Sequence, residues 1–216
     1  SYYKGSLTSL DTYYWNYKND ITINDGKGSN TWSTSLLNKV NLNTNFLNNI
    51  GTEWANKIIM TTWKVGGNTA ENILYGAPAT TYQNEIINPD PSDSTDNLAE
   101  YNAKVGLMYV SDYEYAASPT YWTYPGVDIK SINGDGSTDY RAAKASNWSY
   151  SGANEWSISR FSDYTYHLFY FDKTGMVFVR LAAISFGYGV RPTFYLESST
   201  IYKSGTGTQS DPMVLS

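Results

Sequence analysis

"GVRPTFYL", residues 189–196, is followed within eight residues by "SGTGTQSDPMVL" at 204–215. An apolar strand is broken here by Gly189, Arg191 and Pro192. Proline has no backbone N–H, so Pro192 belongs at a strand start or on an edge. Arg191 beside it is read as a structural donor into neighbouring carbonyls, at the entry to a strand rather than in a catalytic site. Working outward, "EWSISRF" (155–161), "YTYHLFYFD" (164–172) and "MVFVRLA" (176–182) alternate as strands do, and "DKTG" (172–175) is a hairpin turn. The expectation is a run of consecutive antiparallel core strands from 157 to 197.

Further upstream, "STSLLNKVNLNTNFLNNIG" (33–51) has helical spacing of Leu36, Leu37, Val40, Phe46, Leu47 and Ile50. Ser33 or Thr34 is the expected N-cap, Gly51 the stop, and a break near Asn41–Asn43 gives two short helices. "KIIMTTWKVGG" (57–67) reads as a strand closed by a Gly-Gly turn. "KVGLMYVSDYEYA" (104–116) reads as a strand passing into a helical turn near Ser111. The aromatic opening, residues 1–30, is expected to lie across a core, with turn chemistry at "INDGKGSN" (23–30). Residues 68–100, including the acidic "NPDPSDSTDN", and 117–155 lack periodicity and read as loop insertions. The whole, 1–216, is expected to be a single α+β domain with 156–216 supplying core strands.

Composition removes several functions. The chain has 216 residues, no Cys, one His and a net charge of −5, with 16% charged residues against 21 Tyr, 7 Trp and 7 Phe. A cysteine nucleophile is impossible, and zinc, iron and copper sites built on Cys and His clusters cannot be assembled. Lys and Arg are scattered, which argues against a phosphate backbone as partner. No 18-residue apolar window or signal peptide is visible.

The order "WSTSLLNKVNLNTNFLNNI", "KIIMTTWKVGG", "VGLMYVSDYEYA", "EWSIS", "GMVFV", "YGVRPTFYL" and "SGTGTQSDPMVL" resembles bacterial extracellular domains with a C-type-lectin-like fold. These are related in fold to the formylglycine-generating enzyme. The resemblance spans about residues 30–216 and implies helices first, then small antiparallel sheets with long loops. It also implies a secreted or cell-surface protein of adhesin or pilin-associated type. The enzymatic members need Cys, and related iron-dependent members need several His, so neither activity is implied for this chain.

Candidate chemistry is sparse. Asp112 and Glu114, with Glu53, Glu71 and Glu85 scattered, offer a carboxylate-dependent hydrolase only on paper, and Asp112 reads better as a helix cap. His167 shares a strand face with Thr165, Phe169 and Phe171 and is expected to be packed. In "NGDGSTD" (133–139), Asn133, Asp135, Ser137 and Asp139 alternate as oxygen ligands do in a calcium loop. However, the glycine is misplaced and Lys144 stands at the twelfth position, so a plain turn is preferred, and calcium is the one cofactor left open. The aromatic loops are the leading ligand-binding candidates: Tyr121, Trp122, Tyr124, Trp148 and Tyr150, with Asn147 and Asn154 nearby. Trp148 and Trp156 could equally plug the core.

Together these features predict a non-enzymatic extracellular binding or filament-forming module. Its partner would be a protein or glycan at the cell surface, or another copy in a filament. The alternatives are a diversified ligand-binding protein of the retroelement-mutagenised kind and an uncharacterised hydrolase.

Overall fold

The computed structural model describes residues 12–16, 28–69, 71–72, 77–89, 99–123, 143–181, 187–208 and 210–216. It is a mixed α+β protein with few helices and small sheets. The central sheet has four strands in the order β3 (Gly67–Asn68), β6 (Glu155–Phe161), β7 (His167–Phe171) and β8 (Val177–Leu181). The last three form the expected antiparallel meander, while β3 joins β6 in parallel. Gly175, with φ 94°, closes the β7–β8 hairpin by donating to the Asp172 carbonyl at 2.8 Å. Asp172 accepts from the Thr174 N–H through its side chain. These are the turn contacts that "DKTG" encodes.

Strand β7 divides the core. Leu168 and Tyr170 join Trp15, Trp32, Leu37, Trp63 and Trp156 on one side, and Phe169 and Phe171 join Tyr113, Val110, Phe161 and Val177 on the other. This alternation is the period-2 consequence of a strand covered on both faces. Every residue of β6 is buried too, including Ser157, Ser159 and Arg160. Ser157 satisfies its hydroxyl on the Phe169 carbonyl at 2.8 Å, as a buried hydroxyl must.

Of the N-terminal aromatics, Tyr13 and Trp15 lie among the described residues and pack in the core. Strand β1 (Tyr13–Tyr14) pairs with β9 (Gly187–Tyr188), and Trp15 sits 5.3 Å from Trp32 and 6.1 Å from Trp156, centroid to centroid.

The segment 189–196 is not one strand extending the sheet. β9 is bound to β1, and β10 (Thr193–Phe194) is bound to β5 (Val105–Gly106). Pro192 immediately precedes β10, at a strand start. The missing proline N–H and the side-chain bonds of Arg191 explain why pairing is interrupted between them.

Helix α1 covers Leu37–Phe46 with π winding and continues as α-helix over Leu47–Asn49; α2 is Thr52–Lys57. The expected break at Asn41–Asn43 is absent, and the chain turns at Gly51, with φ 85°. Asn43 is helical because its amide is used elsewhere. It accepts from Val105 N–H at 2.9 Å and donates to the Val105 carbonyl at 2.9 Å, pinning α1 to β5. Neither Ser33 nor Thr34 caps this helix. Ser35 does the work, with its hydroxyl oxygen accepting the Asn38 N–H at 3.1 Å.

Gly66 and Gly67 form no turn. Strand β2 (Thr61–Lys64), paired with β4 (Glu100–Ala103), runs on into β3, where a Cβ at Gly67 would strike the Arg160 carbonyl oxygen. The glycines are there for close approach of two backbones. Helix α3 (Pro78–Tyr82), continued with π winding over Gln83–Ile87, packs on α4 (Val110–Tyr115). The hairpin of β11 (Tyr202–Ser204) and β12 (Val214–Leu215) closes the chain, through turn glycines at 205 and 207.

Candidate functional site

The aromatic loops do not behave alike. Among the described residues of 117–155, Ala117, Ala143, Asn147, Ser149 and Glu155 are buried, so these parts of the segment reach the core. The segment returns to the core and is clipped to the end of α4. Trp148 N–H donates to the Ala116 carbonyl at 3.2 Å, and the Ser118 N–H donates to the Ser146 hydroxyl at 3.0 Å.

Asn147 determines what its neighbours do. Its amide nitrogen donates to the Tyr113 carbonyl at 2.9 Å, and its side-chain oxygen accepts from the N–H and hydroxyl of Ser149, both at 2.9 Å. With residues 147 and 149 fixed inward, the side chain between them is turned out, and Trp148 is 82% exposed. Trp156 takes the opposite place. It is buried between Trp15 and Tyr188, and its indole N–H donates to the Tyr13 carbonyl at 2.8 Å.

Tyr121 packs against the second half of the core, and Trp122 is half-held by two contacts. Its indole N–H bonds the Ala117 carbonyl at 3.0 Å, and its ring meets Tyr115 edge to face at 5.1 Å. Tyr150 donates its hydroxyl to the Lys173 carbonyl at 2.7 Å, and the Lys144 ammonium lies 5.7 Å from its ring centre. Asn154 is structural as well, accepting from the Lys173 N–H at 2.8 Å. Tyr124 and the calcium-loop residues Asn133, Asp135, Ser137 and Asp139 lie outside the described residues.

Trp148 and Tyr150 line a cleft of about 420 Å³ with Glu155, Val190, Arg191 and Pro192. Arg191 is thus more than a strand-entry donor. It spans the cleft wall, giving one bond to the Ser149 carbonyl at 2.8 Å and one to the Glu155 carboxylate at 2.5 Å. The Glu155 side chain is 6% exposed and that of Arg191 is 36% exposed, so the pair is anchored on the buried carboxylate and opens toward solvent at the guanidinium. A flat indole face therefore stands beside a donor-acceptor pair of zero net charge. Arg191 and Glu155 were not readable as site residues, because neither stands in a motif. The only signal was an arginine next to a proline in an otherwise apolar strand.

The titratable candidates for catalysis fall elsewhere. Asp112 accepts the Tyr109 N–H at 3.1 Å, as the third residue of α4 in a capping box. Burial holds its carboxyl above the ordinary range. Glu114 is buried on the same helix. Glu85 is fully buried where α3 meets α4 and β6. The Ser111 N–H donates to it at 3.1 Å and the Ser111 and Ser159 hydroxyls lie against it, yet loss of hydration dominates and pushes its pKa up to about 7. His167 packs against Phe161, Tyr164 and Tyr166, and burial lowers its pKa. The Trp148 cleft itself contains one carboxylate, already paired with Arg191.

The chain matches no protein-family model, no curated protein and no solved structure.

Proposed function

We propose that this protein is a non-enzymatic extracellular binding module, of adhesin or pilus-associated type, on a C-type-lectin-like scaffold. Its ligand is a glycan or protein at the cell surface, met in the cleft between Trp148 and Arg191. The observation that carries this reading is the exposure of Trp148. An indole 82% open to water and oriented by a buried asparagine suits stacking against a ring or a flat apolar face. Arg191 and Glu155 beside it supply a donor and an acceptor for polar groups at the edge of such a ligand. A surface poor in charge and rich in Tyr, Asn, Ser and Thr is consistent with life outside the cell.

The test is a glycan array and a display library of cell-surface peptides, each probed with the wild-type chain and with Trp148→Ala. The expected result is binding by the wild type that falls at least about tenfold in the variant while the melting temperature stays put. Binding that survives Trp148→Ala unchanged refutes this placement of the site.

A further inference from the structure

The Arg191–Glu155 pair is neutral as a whole but not as a ligand entering the cleft would meet it. The carboxylate is nearly buried, whereas the guanidinium opens to solvent, so the positive end comes first. Arg191 gives one N–H to the Ser149 carbonyl and one to Glu155. Three of the five guanidinium donors are therefore left without an acceptor among the described residues. All lie in the one plane that makes arginine a partner for the paired oxygens of a carboxylate. The carbonyl that fixes the guanidinium belongs to Ser149, the residue next to Trp148, which holds cation and indole close together.

More positive charge stands around Tyr150, which lines the same cleft. The Lys144 ammonium lies 5.7 Å from its ring centre, and its hydroxyl is bonded to the Lys173 carbonyl. Neither lysine has an ion-pair partner among the described residues. The carboxylates described beside them are Glu155, held at the back, and Asp172, which accepts the Thr174 N–H of its own hairpin at 2.6 Å. Three cations thus stand against two carboxylates here, in a chain whose total is −5. A local reversal of sign favours an anion at this place. The exposed indole narrows which anion. A bare phosphate or a small carboxylic acid would leave Trp148 uncovered, and a neutral ring would leave the guanidinium donors unused. A sugar ring bearing a carboxylate uses both, because its weakly positive C–H face suits the negative face of the indole. The cleft, at about 420 Å³, has the size of a small-ligand site.

We propose that the ligand of this cleft is an acidic glycan, with a sugar ring stacked on Trp148, its carboxylate on Arg191, and Lys144 adding attraction from the rim. This rests on the placement of the binding site at Trp148.

Matched sugars titrated into the full chain and followed by NMR test it: glucuronic acid against glucose, galacturonic acid against galactose, and N-acetylneuraminic acid against its carboxyl-reduced alcohol. A blocked Tyr-Asp peptide is the control for a carboxylate carried on protein. At least one acid is expected to bind about tenfold or more tighter than its neutral match. That preference should shrink when salt rises from about 50 mM to about 500 mM. Arg191→Gln should abolish the preference, and Lys144→Gln, which carries the test if the arginine variant fails to fold, should reduce it by about threefold. Trp148→Ala should weaken acid and neutral sugar alike. Equal binding of acid and neutral match, lost in Trp148→Ala, overturns the acidic ligand and leaves the site standing. Binding that ignores Trp148→Ala overturns the site and this inference with it. The inference is also overturned by a preference that survives both charge variants, by tighter binding of the peptide than of every sugar acid, or by binding of no sugar acid at all.

Discussion

Replacing Glu85 with Gln should remove a pH dependence of stability that the wild type owes to a single buried carboxyl. Its pKa is about 7 in the folded protein against an ordinary 4.5, because burial penalises the charged form more than the Ser111 and Ser159 bonds favour it. Below pH 4.5 the group is protonated in both states and costs nothing. Between 4.5 and 7 the unfolded chain releases the proton while the folded one keeps it, so stability falls as pH rises. Above 7 both are ionised and the loss is constant. At about 1.4 kcal/mol per pH unit the full loss is about 3 kcal/mol. Glutamine keeps the shape and an acceptor for the Ser111 N–H but carries no charge. Urea unfolding of both proteins at pH 5 and pH 8.5 should show the wild type losing about 2–3 kcal/mol more than the variant, which becomes the more stable of the two at pH 8.5. Parallel profiles, within about 0.5 kcal/mol, would show that the carboxyl ionises as freely in the fold as in water.

Arg191→Ala should destabilise by about 2 kcal/mol in urea unfolding, because it leaves the nearly buried Glu155 carboxylate and the Ser149 carbonyl unpaired. Arg191→Lys, which cannot reach both acceptors in one plane, should recover only part of this, and full recovery would show that charge alone matters. Gly67→Ala should cost about 3 kcal/mol or fail to fold, since its Cβ meets the Arg160 backbone oxygen. A variant that melts like the wild type would disprove the close approach. Asn43→Ala should cost about 1–3 kcal/mol by opening both bonds to Val105, and Asn43→Asp should restore only the acceptor half. Trp148→Ala should change stability by less than about 0.5 kcal/mol, and a larger loss in calorimetry would mean the indole is part of the core.

What could be read from residues alone was whatever one local rule controls. The β6–β8 meander was legible because alternation and a four-residue turn agree with each other. The strand entry at Pro192 was legible because proline lacks a donor. Positions where one residue type serves two purposes were misread. Gly66–Gly67 has the composition of a turn, but close backbone packing asks for the same residue. Asn41–Asn43 looks like a helix break until Val105, 62 residues away, is seen to take up the Asn43 amide. The site was partly legible. Exposed aromatics were expected in 117–155, but Trp148 and Trp156 are both flanked by serine on at least one side, and nothing local says which faces water. That is decided by Asn147 reaching the Tyr113 carbonyl, a contact that spans 34 residues. Arg191 and Glu155 converge only because Gly189 is bridged to Glu155.

The two halves of the core share one strand, and this sets how the molecule comes apart. Because successive side chains of β7 belong to opposite halves, neither half can melt without stripping one face of the backbone that supports the other. There is no seam along which a stable half-folded species could separate. The amides of Leu168 to Phe171 should therefore exchange with deuterium only through global unfolding, and all at one common free energy. Loss of Phe169 should slow refolding of the side that it never touches as much as of the side that it fills.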